Sequence, residues 1–282
     1  MLRAAGWHLT MFKDAATISD FLQLWLHHAV LPAPQQAVFD KYYGSYKRHF
    51  PPRLQHYYAR QIRDVQQLIG HRPGSRVLEI GCGTGTESLW MAMLGASVTA
   101  VELTRERFEV ALARQAALEA DLGRRLDCTF INASLLDLPD QTPFDIVWME
   151  QAFHHLEPRA AIVARIAELT AMGGHVVISE ANALNPLLQA QLLRRRGIRT
   201  LKHFVDDSGR RHPYGDERIL PAGALARLLA TVGIEQRAIE HFRLFPNTPA
   251  FDRWLWLERA TPTWLRPLFT HYNYVGCKVR DR

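Results

Sequence analysis

The stretch that most constrains the fold is RVLEIGCGTGTESLW, residues 76–90. A short apolar strand ends near Glu79, glycines stand at positions 81, 83 and 85, and a helix begins directly afterwards. Glycine lets the backbone turn sharply and approach a ligand closely. In an open α/β sheet such a turn lies at the carboxyl end of a strand, where ligands bind. The stretch therefore predicts a ligand-binding loop on a sheet flanked by helices.

The pattern after residues 72–75 extends this prediction. Short β-rich runs alternate with helical runs, from the strand at 76–80 to a last strand at 272–280. Strands that alternate with helices indicate a parallel, doubly wound α/β sheet with helices on both faces. We count seven strands, and we expect insertions after the fifth and the sixth, at 182–220 and 246–272. Insertions of this size in a compact domain are often functional.

The first 70 residues have a mostly helical pattern, in contrast to the alternating strands and helices that follow. Apolar residues at helical spacing predict a helix over 17–30 with Thr17 as its N-cap, and the prolines of LPAP end it. A second helix is predicted over 55–70. We therefore expect a helical N-terminal lid over 1–70 and the sheet domain over 71–282.

Composition excludes several classes of protein. The three cysteines form no CxxC pair, so a disulfide framework or a zinc site is not expected, and no metal site is predicted. The first ten residues lack the apolar core of a signal peptide, and no apolar run approaches the ~20 residues that span a bilayer. We expect a cytoplasmic protein. The formal charge of +6 permits anionic partners without choosing among them.

Two acidic residues indicate the kind of ligand. The loop spacing is GxGxG, with Thr86 where a dinucleotide fingerprint would have its third glycine. Glu79 precedes the loop, and a carboxylate there suits an ammonium or sulfonium group better than a pyrophosphate. Glu102 ends the second strand about twenty residues later, where an acid accepts hydrogen bonds from ribose hydroxyls. Leu103 follows and suits packing on an adenine ring.

From Arg76 to Glu180 the chain resembles the class I S-adenosylmethionine-dependent methyltransferases, a Rossmann-like fold. VLEIGCGTG is similar to the first motif of that family, AVELT to its ribose strand and NASLLDLP to its adenine-contacting segment. FDIVWMEQAFHHLEP and GGHVVISEAN are similar to its fourth and fifth strands. The resemblance implies S-adenosyl-L-methionine as the cofactor, held by Glu79, Gly81, Cys82, Gly83, Gly85, Glu102, Leu103, Ser134, Leu135 and Met149. Ser134 stands where the family often has an acid.

Catalytic candidates follow the fourth strand, whose carboxyl end faces the methyl group in this family. We predict Glu150 and His154 as general base or acceptor-orienting groups. Glu150 bonding to backbone amides and a histidine packed under the sheet edge are the structural alternatives. His155 is assigned to structure, because adjacent residues at a helix start point in different directions.

Acceptor-binding candidates lie outside the motifs. We predict acceptor contacts from Tyr42, Tyr46, Arg195, Tyr214 and His241. The tryptophans of the second insertion fit a core, an acceptor pocket or a peripheral membrane contact, and core is the default.

The acceptor class is narrowed by absent motifs. No NPPY or DPPY follows the fourth strand, and no aromatic-interleaved basic stripe resembles an RNA-binding module. Nucleic acid is therefore disfavoured as a partner, and we expect a small-molecule or lipid-like acceptor, with an anionic one compatible with the charge. A tRNA or rRNA methyltransferase and a non-catalytic S-adenosylmethionine-binding scaffold or regulator remain the alternatives. The sequence does not predict an oligomeric state.

Overall fold

The computed structural model describes residues 11–205, 209–245 and 249–281, and a seven-stranded sheet forms its centre. The described residues form these strands, seven of which belong to the central sheet: β1 Arg76–Ile80, β2 Ser97–Val101, β3 Cys128–Ile131, β4 Phe144–Glu150, β5 Thr170–Ala181, β6 Leu201–Val205, β7 Arg211–Gly215, β8 Ile234–Phe242 and β9 His271–Lys278. The sheet order is β3-β2-β1-β4-β5-β9-β8, with β6 and β7 paired in a separate antiparallel hairpin. Strand β9 is antiparallel to both its neighbours, and the pairings among β1 to β5 are parallel. The predicted α/β fold is confirmed.

Helices cover both faces of this sheet. They are α1 Ile18–His27, α2 Ala33–Tyr42, α3 Gly44–Arg48, α4 Pro52–His71, α5 Thr86–Met93, α6 Arg105–Leu122, α7 Arg159–Leu169, α8 Pro186–Arg196, α9 Ala222–Ala230 and α10 Leu255–Ala260. Val77 and Trp148 face a core that they share with α1, α4, α5 and α6. Leu78 and Val147 face the opposite core, under α7 and α9. Successive residues of each strand thus serve opposite layers, as expected for a sheet buried on both faces.

The N-terminal helices are part of the main core. Thr17 caps α1 as predicted, and its hydroxyl accepts from the Asp20 amide at 3.1 Å. Ile62 and Val65 of α4 are buried in the same cluster as strand residues of β1 and β4. The segment therefore shares its hydrophobic core with the sheet. A lid over residues 1–70 stays a prediction, and residues 1–10 lie outside the described residues.

Both insertions leave the sheet where the sequence indicated. The first follows β5 and contains α8 and the β6–β7 hairpin. The second follows β8 and consists of two 3₁₀ helices, Pro249–Trp254 and Thr263–Leu268, on either side of α10. The strands of the hairpin and the two 3₁₀ helices are short and largely exposed. Because they bury little apolar surface, they carry no strong periodic pattern.

Candidate active site

A cavity of about 420 Å³ lies at the carboxyl ends of β1, β2 and β4. Helix α2 and the β6–β7 hairpin complete its wall. The residues that line it include Tyr42, Gly81, Glu102, Leu103, Arg107, Ser134, Leu135, Glu150, Gln151, His155, Arg210 and Tyr214. This is the edge of an open α/β sheet at which ligands bind.

The glycine loop meets the cavity at Gly81, and its three glycines have left-handed backbone conformations. Gly83 has φ +55°, and a Cβ on it would lie 2.6 Å from the Tyr42 hydroxyl. Gly85 has φ +77°, and a Cβ there would lie 2.7 Å from the Phe130 ring. Residues with a side chain adopt such φ values at a cost, so glycine is required on both grounds. The loop is a backbone surface that a ligand can approach closely.

Glu102 is fixed at the end of β2 by backbone amides. Its carboxylate accepts from Gly83 N at 2.9 Å and from Thr104 N at 2.7 Å. The side chain is 5% exposed yet lies in the cavity wall. Each oxygen retains a free lone pair, so the carboxylate can still accept from two hydroxyls. This arrangement fits the ribose of the implied cofactor.

Glu79 is buried beneath the loop. Its carboxylate accepts a hydrogen bond from the Ser88 hydroxyl. Burial, reinforced by the negative charge of Glu87, raises the pKa of Glu79 well above its usual range. A cationic group on a bound ligand would relieve that destabilisation. The carboxylate therefore fits the amino-acid end of S-adenosylmethionine.

The residues predicted to contact adenine, Leu103, Ser134 and Leu135, all line the cavity. The Ser134 hydroxyl caps a 3₁₀ helix, accepting from Leu136 N at 3.3 Å. Asp137 lies beside it in the wall and forms an ion pair with Arg210 at 3.1 Å. Ser134 lines the cavity and its side chain is engaged in local structure, so its contact with the cofactor stays a prediction.

Gln151 is a site residue that the sequence did not single out. It follows β4 with φ +47°, an uncommon conformation for a residue with a side chain. Its amide Nε2 is buried without a hydrogen-bond partner in the described part of the chain. Strained backbone and an unpaired polar group both cluster at functional sites. The Met149 side chain, by contrast, is fully buried in the α7 and α9 layer.

Glu150 lies in the cavity wall and is held by α4. Gln61 Nε2 donates to Glu150 Oε1 at 2.6 Å. Its partly buried position and the negative charges of Glu87, Glu180 and Glu79 raise the pKa of Glu150 well above its usual range. A carboxylate with a raised pKa is suited to accept a proton near neutral pH.

His154 and His155 lie in the reverse of the predicted arrangement, because the residue assigned to structure is the one that lines the cavity. His155 lines the cavity, stacked on the Tyr214 ring at 4.5 Å between centroids, and burial lowers its pKa to about 4. His154 is 4% exposed and packs behind it, with Nδ1 2.7 Å from Glu180 and Nε2 3.6 Å from Glu217. Burial opposes the charged form of His154, but the two carboxylates outweigh it and raise its pKa.

Of the predicted acceptor contacts, Tyr42 and Tyr214 line the cavity and three others do not. Tyr46 packs among the rings of Tyr43, Phe50 and Tyr58. Arg195 is exposed and pairs with Glu217 at 3.3 Å. His241 lines a different cavity, between α4 and the second insertion. Its strand β8 is the far edge of the sheet, three places from β4, which local sequence does not reveal.

The fold and the cavity at the carboxyl ends of the parallel strands define an α/β protein with a ligand site at the sheet edge, and comparison with known proteins gives its family. A methyltransferase domain model matches residues 77–174. The chain is 32% identical over 181 residues to a ubiquinone biosynthesis O-methyltransferase of Burkholderia pseudomallei, covering 64% of this chain and 73% of that one. It is 31% identical over 206 residues to the enzyme of the same name from Xylella fastidiosa, covering 73% and 74%.

Solved structures agree in fold. Magnesium protoporphyrin IX methyltransferase from Synechocystis, with bound S-adenosylhomocysteine, has a TM-score of 0.54 at 16% identity and covers 86% of this chain and 95% of its own. A methyltransferase from Methanosarcina mazei has a TM-score of 0.55 at 16% identity and covers 76% and 98%. The chain belongs to the class I S-adenosylmethionine-dependent methyltransferases, and S-adenosyl-L-methionine is its cofactor. No helix in the described residues is long and apolar enough to cross a membrane.

Proposed function

We propose that this enzyme transfers the methyl group of S-adenosylmethionine to an oxygen atom of a small-molecule acceptor. The observation that carries the proposal is one continuous cavity that runs from Glu102 and the glycine loop to Glu150 and the Tyr214 hairpin. The names of the relatives, which are O-methyltransferases, support oxygen as the methylated atom. A volume of about 420 Å³ lies in the range of small-molecule pockets.

The geometry of the loop supports the following proposal for the cofactor residues. Glu102 would accept from the ribose hydroxyls, and Leu103 with Ser134 and Leu135 would enclose the adenine. Glu79 would offset the ammonium charge through the loop at 81–85. The unpaired Gln151 amide would donate to an oxygen of the bound ligands. S-adenosylmethionine supplies an electrophilic methyl group on a sulfonium centre, so the chain has mainly to align the acceptor.

Glu150 is the proposed general base. An acceptor hydroxyl loses a proton as its oxygen becomes methylated, and the Glu150 carboxylate lies in the cavity to take that proton. Gln61 orients the carboxylate without neutralising it. His154 remains the other predicted catalytic group. Its contacts with Glu180 and Glu217 favour an indirect role, in which it positions His155 and the hairpin.

We assign the first insertion and α2 to the part of the cavity that would hold the acceptor. Tyr214 and His155 present stacked rings to the cavity, and Tyr42 approaches from the opposite side over Gly83. Arg107 and Arg210 bring positive charge to the same wall, and Arg210 pairs with Asp137. An aromatic or otherwise flat acceptor suits this wall, and an anionic substituent on it would face Arg107.

A product-based assay tests the proposal. The full chain is incubated with methyl-labelled S-adenosylmethionine and, separately, with hydroxyl, amine and thiol compounds and with total RNA. We expect label on a hydroxyl oxygen of a small molecule, with stoichiometric S-adenosylhomocysteine, and much less label with the Glu102→Gln enzyme when the cofactor is held near the Kd of the unaltered enzyme. Label confined to nitrogen, sulfur or RNA would contradict the proposed acceptor class. Cofactor binding with no turnover on any acceptor would favour a scaffold instead.

A further inference from the structure

The second insertion exposes large aromatic side chains that the active site does not use. Trp256 is 60% exposed and Trp264 is 75% exposed, and Trp254 is exposed beside them in sequence. Three indoles in water are unfavourable for a protein surface unless something covers them. The sequence alone favoured a core position for these tryptophans, and the exposure of all three shows that the default does not hold for them.

Basic residues accompany these tryptophans. Arg259 lies one helical turn after Trp256 on α10, so the two side chains share a face. Arg266 lies two residues after Trp264 in the following 3₁₀ helix. The Arg253 guanidinium lies 5.7 Å from the Trp254 ring centre. We call this set the tryptophan surface, formed by Arg253, Trp254, Trp256, Arg259, Trp264 and Arg266.

The acidic residues of the same segment face inward. Asp252 pairs with Arg53 at 3.0 Å and with His49 at 3.1 Å. Glu258 is 5% exposed, pairs with Arg60 at 2.5 Å and accepts from Arg243 N at 2.9 Å. Both negative charges of the segment are therefore paired with basic groups of the protein body, although the Asp252 side chain stays 28% exposed. The charge left without a partner on the tryptophan surface is positive.

A cavity of about 590 Å³ opens beside this surface, and Arg259 and Arg266 both line it. Arg60, Arg63 and His241 line it from the body of the protein. Arg60 and Arg63 pair with Glu240, whereas no carboxylate pairs with Arg259 or Arg266 anywhere in residues 11–205, 209–245 and 249–281. Glu258 also lines this cavity, but its carboxylate is paired with Arg60. Arg259 and Arg266 are two guanidinium groups at the cavity that have no carboxylate partner among the described residues, and such groups suit a phosphate.

We propose that the tryptophan surface docks the enzyme on an anionic phospholipid membrane, with a headgroup phosphate received by Arg259 and Arg266. Tryptophan is enriched at the membrane–water interface, because its ring is apolar and its N–H is polar. Basic residues next to such rings add attraction to anionic lipids. The combination of exposed indoles, arginines without a carboxylate partner and acids already paired within the protein matches an anionic membrane surface better than an apolar protein partner. The proposal does not depend on which acceptor is methylated.

Vesicle sedimentation tests this docking without any acceptor. The full chain is mixed with vesicles of phosphatidylcholine alone or of phosphatidylcholine with phosphatidylglycerol, at low and high salt. We expect binding to the anionic vesicles that weakens as salt screens the arginines. The double variant Trp256→Ala/Trp264→Ala should lose about tenfold or more in vesicle affinity, since each indole forfeits burial at the interface. Arg259→Gln/Arg266→Gln should lose about fivefold per arginine.

Matched variants remove equally exposed groups elsewhere. Val30→Ala/Met172→Ala removes two exposed apolar side chains, and Arg124→Gln/Arg227→Gln removes two exposed charges, all outside the tryptophan surface. These should bind vesicles as the unaltered enzyme does. S-adenosylhomocysteine binding by calorimetry verifies that every variant is folded.

Several results would overturn the proposal. They are no binding to anionic vesicles at low salt, equal binding by the tryptophan variant, or equal losses in the controls. Binding of inorganic phosphate or RNA without binding of vesicles would also overturn it, as would a dimer that buries the indoles. Failure of methyl transfer would leave the vesicle result unaffected, so the two proposals are separable.

Discussion

The backbone of Gly83 lies directly against the side chain of Tyr42, so that a Cβ on Gly83 would lie 2.6 Å from the Tyr42 hydroxyl. This contact joins the predicted cofactor loop to helix α2. It also places an aromatic ring at the boundary between the proposed cofactor and acceptor parts of the cavity. Any side chain at position 83 must therefore displace Tyr42 or the cofactor.

Gly83→Ala should weaken S-adenosylhomocysteine binding at least about tenfold, because a φ of +55° costs an alanine about 1–2 kcal/mol and its methyl group enters the cavity. Calorimetry measures the Kd. Gly95→Ala is the matched control, since Gly95 has φ +90° with open space around it. Both variants should melt at lower temperature, and only Gly83→Ala should lose affinity. Equal affinity in the two would show that the loop does not hold the cofactor.

Glu102→Gln should reduce cofactor affinity about tenfold to a hundredfold. The change keeps the shape of the side chain but removes the charge that accepts from Gly83 and Thr104, and hydrogen bonds to charged groups contribute about 1.5–3 kcal/mol. Titration with S-adenosylhomocysteine measures the loss. Glu106→Gln, an exposed change at the start of α6, should bind normally. An unchanged Kd for Glu102→Gln would remove Glu102 from the ribose site.

Glu150→Gln should abolish the acidic limb of the pH–rate profile. The pKa of Glu150 is raised, so a base at this position becomes protonated as the pH falls through that pKa, and the rate falls with it. In the variant the rate should be low and independent of pH over the same range. Gln61→Leu should lower the rate less, because it removes only the group that orients the carboxylate. A pH limb that persists in Glu150→Gln would assign the base elsewhere.

The His154–Glu180 pair should make stability depend on pH. The folded pKa of His154 is raised above its unfolded value of about 6.5, so the stabilisation is fully present below that pH. It is lost as the pH rises through the raised pKa. The difference in Tm between the unaltered enzyme and Glu180→Gln should therefore shrink from acidic to alkaline pH. Glu235→Gln, an exposed change, should show no such trend, and a difference that grows with pH would reverse the sign argued here.

Arg114→Ala should lower the free energy of unfolding by about 3 kcal/mol or more. The guanidinium is fully buried, donates to Thr86 Oγ1 at 2.6 Å and lies 4.4 Å from the Trp25 ring centre. Hydrogen bonds to charged groups contribute about 1.5–3 kcal/mol, and loss of the packed stem adds to this. Urea unfolding measures the change, with exposed Arg124→Ala as control. A loss below about 1 kcal/mol would mean that α1 does not depend on this contact.

The local sequence pattern was sufficient to predict the central sheet and the glycine loop. Strands β1 and β2 are short apolar runs, and the acids Glu79 and Glu102 stand where those runs end, so the sequence reveals their shared edge. The β6–β7 hairpin has no such pattern, because its strands are largely exposed and bury almost nothing. Tyr214 was predicted from sequence and lines the cavity, but its stacking on His155, which joins positions far apart in the chain, was not predicted.

His154, His155 and His241 also show what a single sequence does not predict. Which of His154 and His155 faces the cavity depends on the direction of one 3₁₀ turn after β4, and residue type does not decide it. His241 was predicted as an acceptor contact, yet β9 separates its strand from β5. Strand order is set by packing between distant segments, and a single sequence does not show it.

The place of β9 in the sheet has a consequence for how the chain is made. This strand follows all the other sheet strands in sequence, yet it lies between β5 and β8 and pairs with both. During synthesis, β5 and β8 each present an unpaired edge until β9 has emerged, and such edges invite pairing with other chains. Pairing of β9 with both neighbours closes the gap between β5 and β8 and removes one exposed edge from each of them.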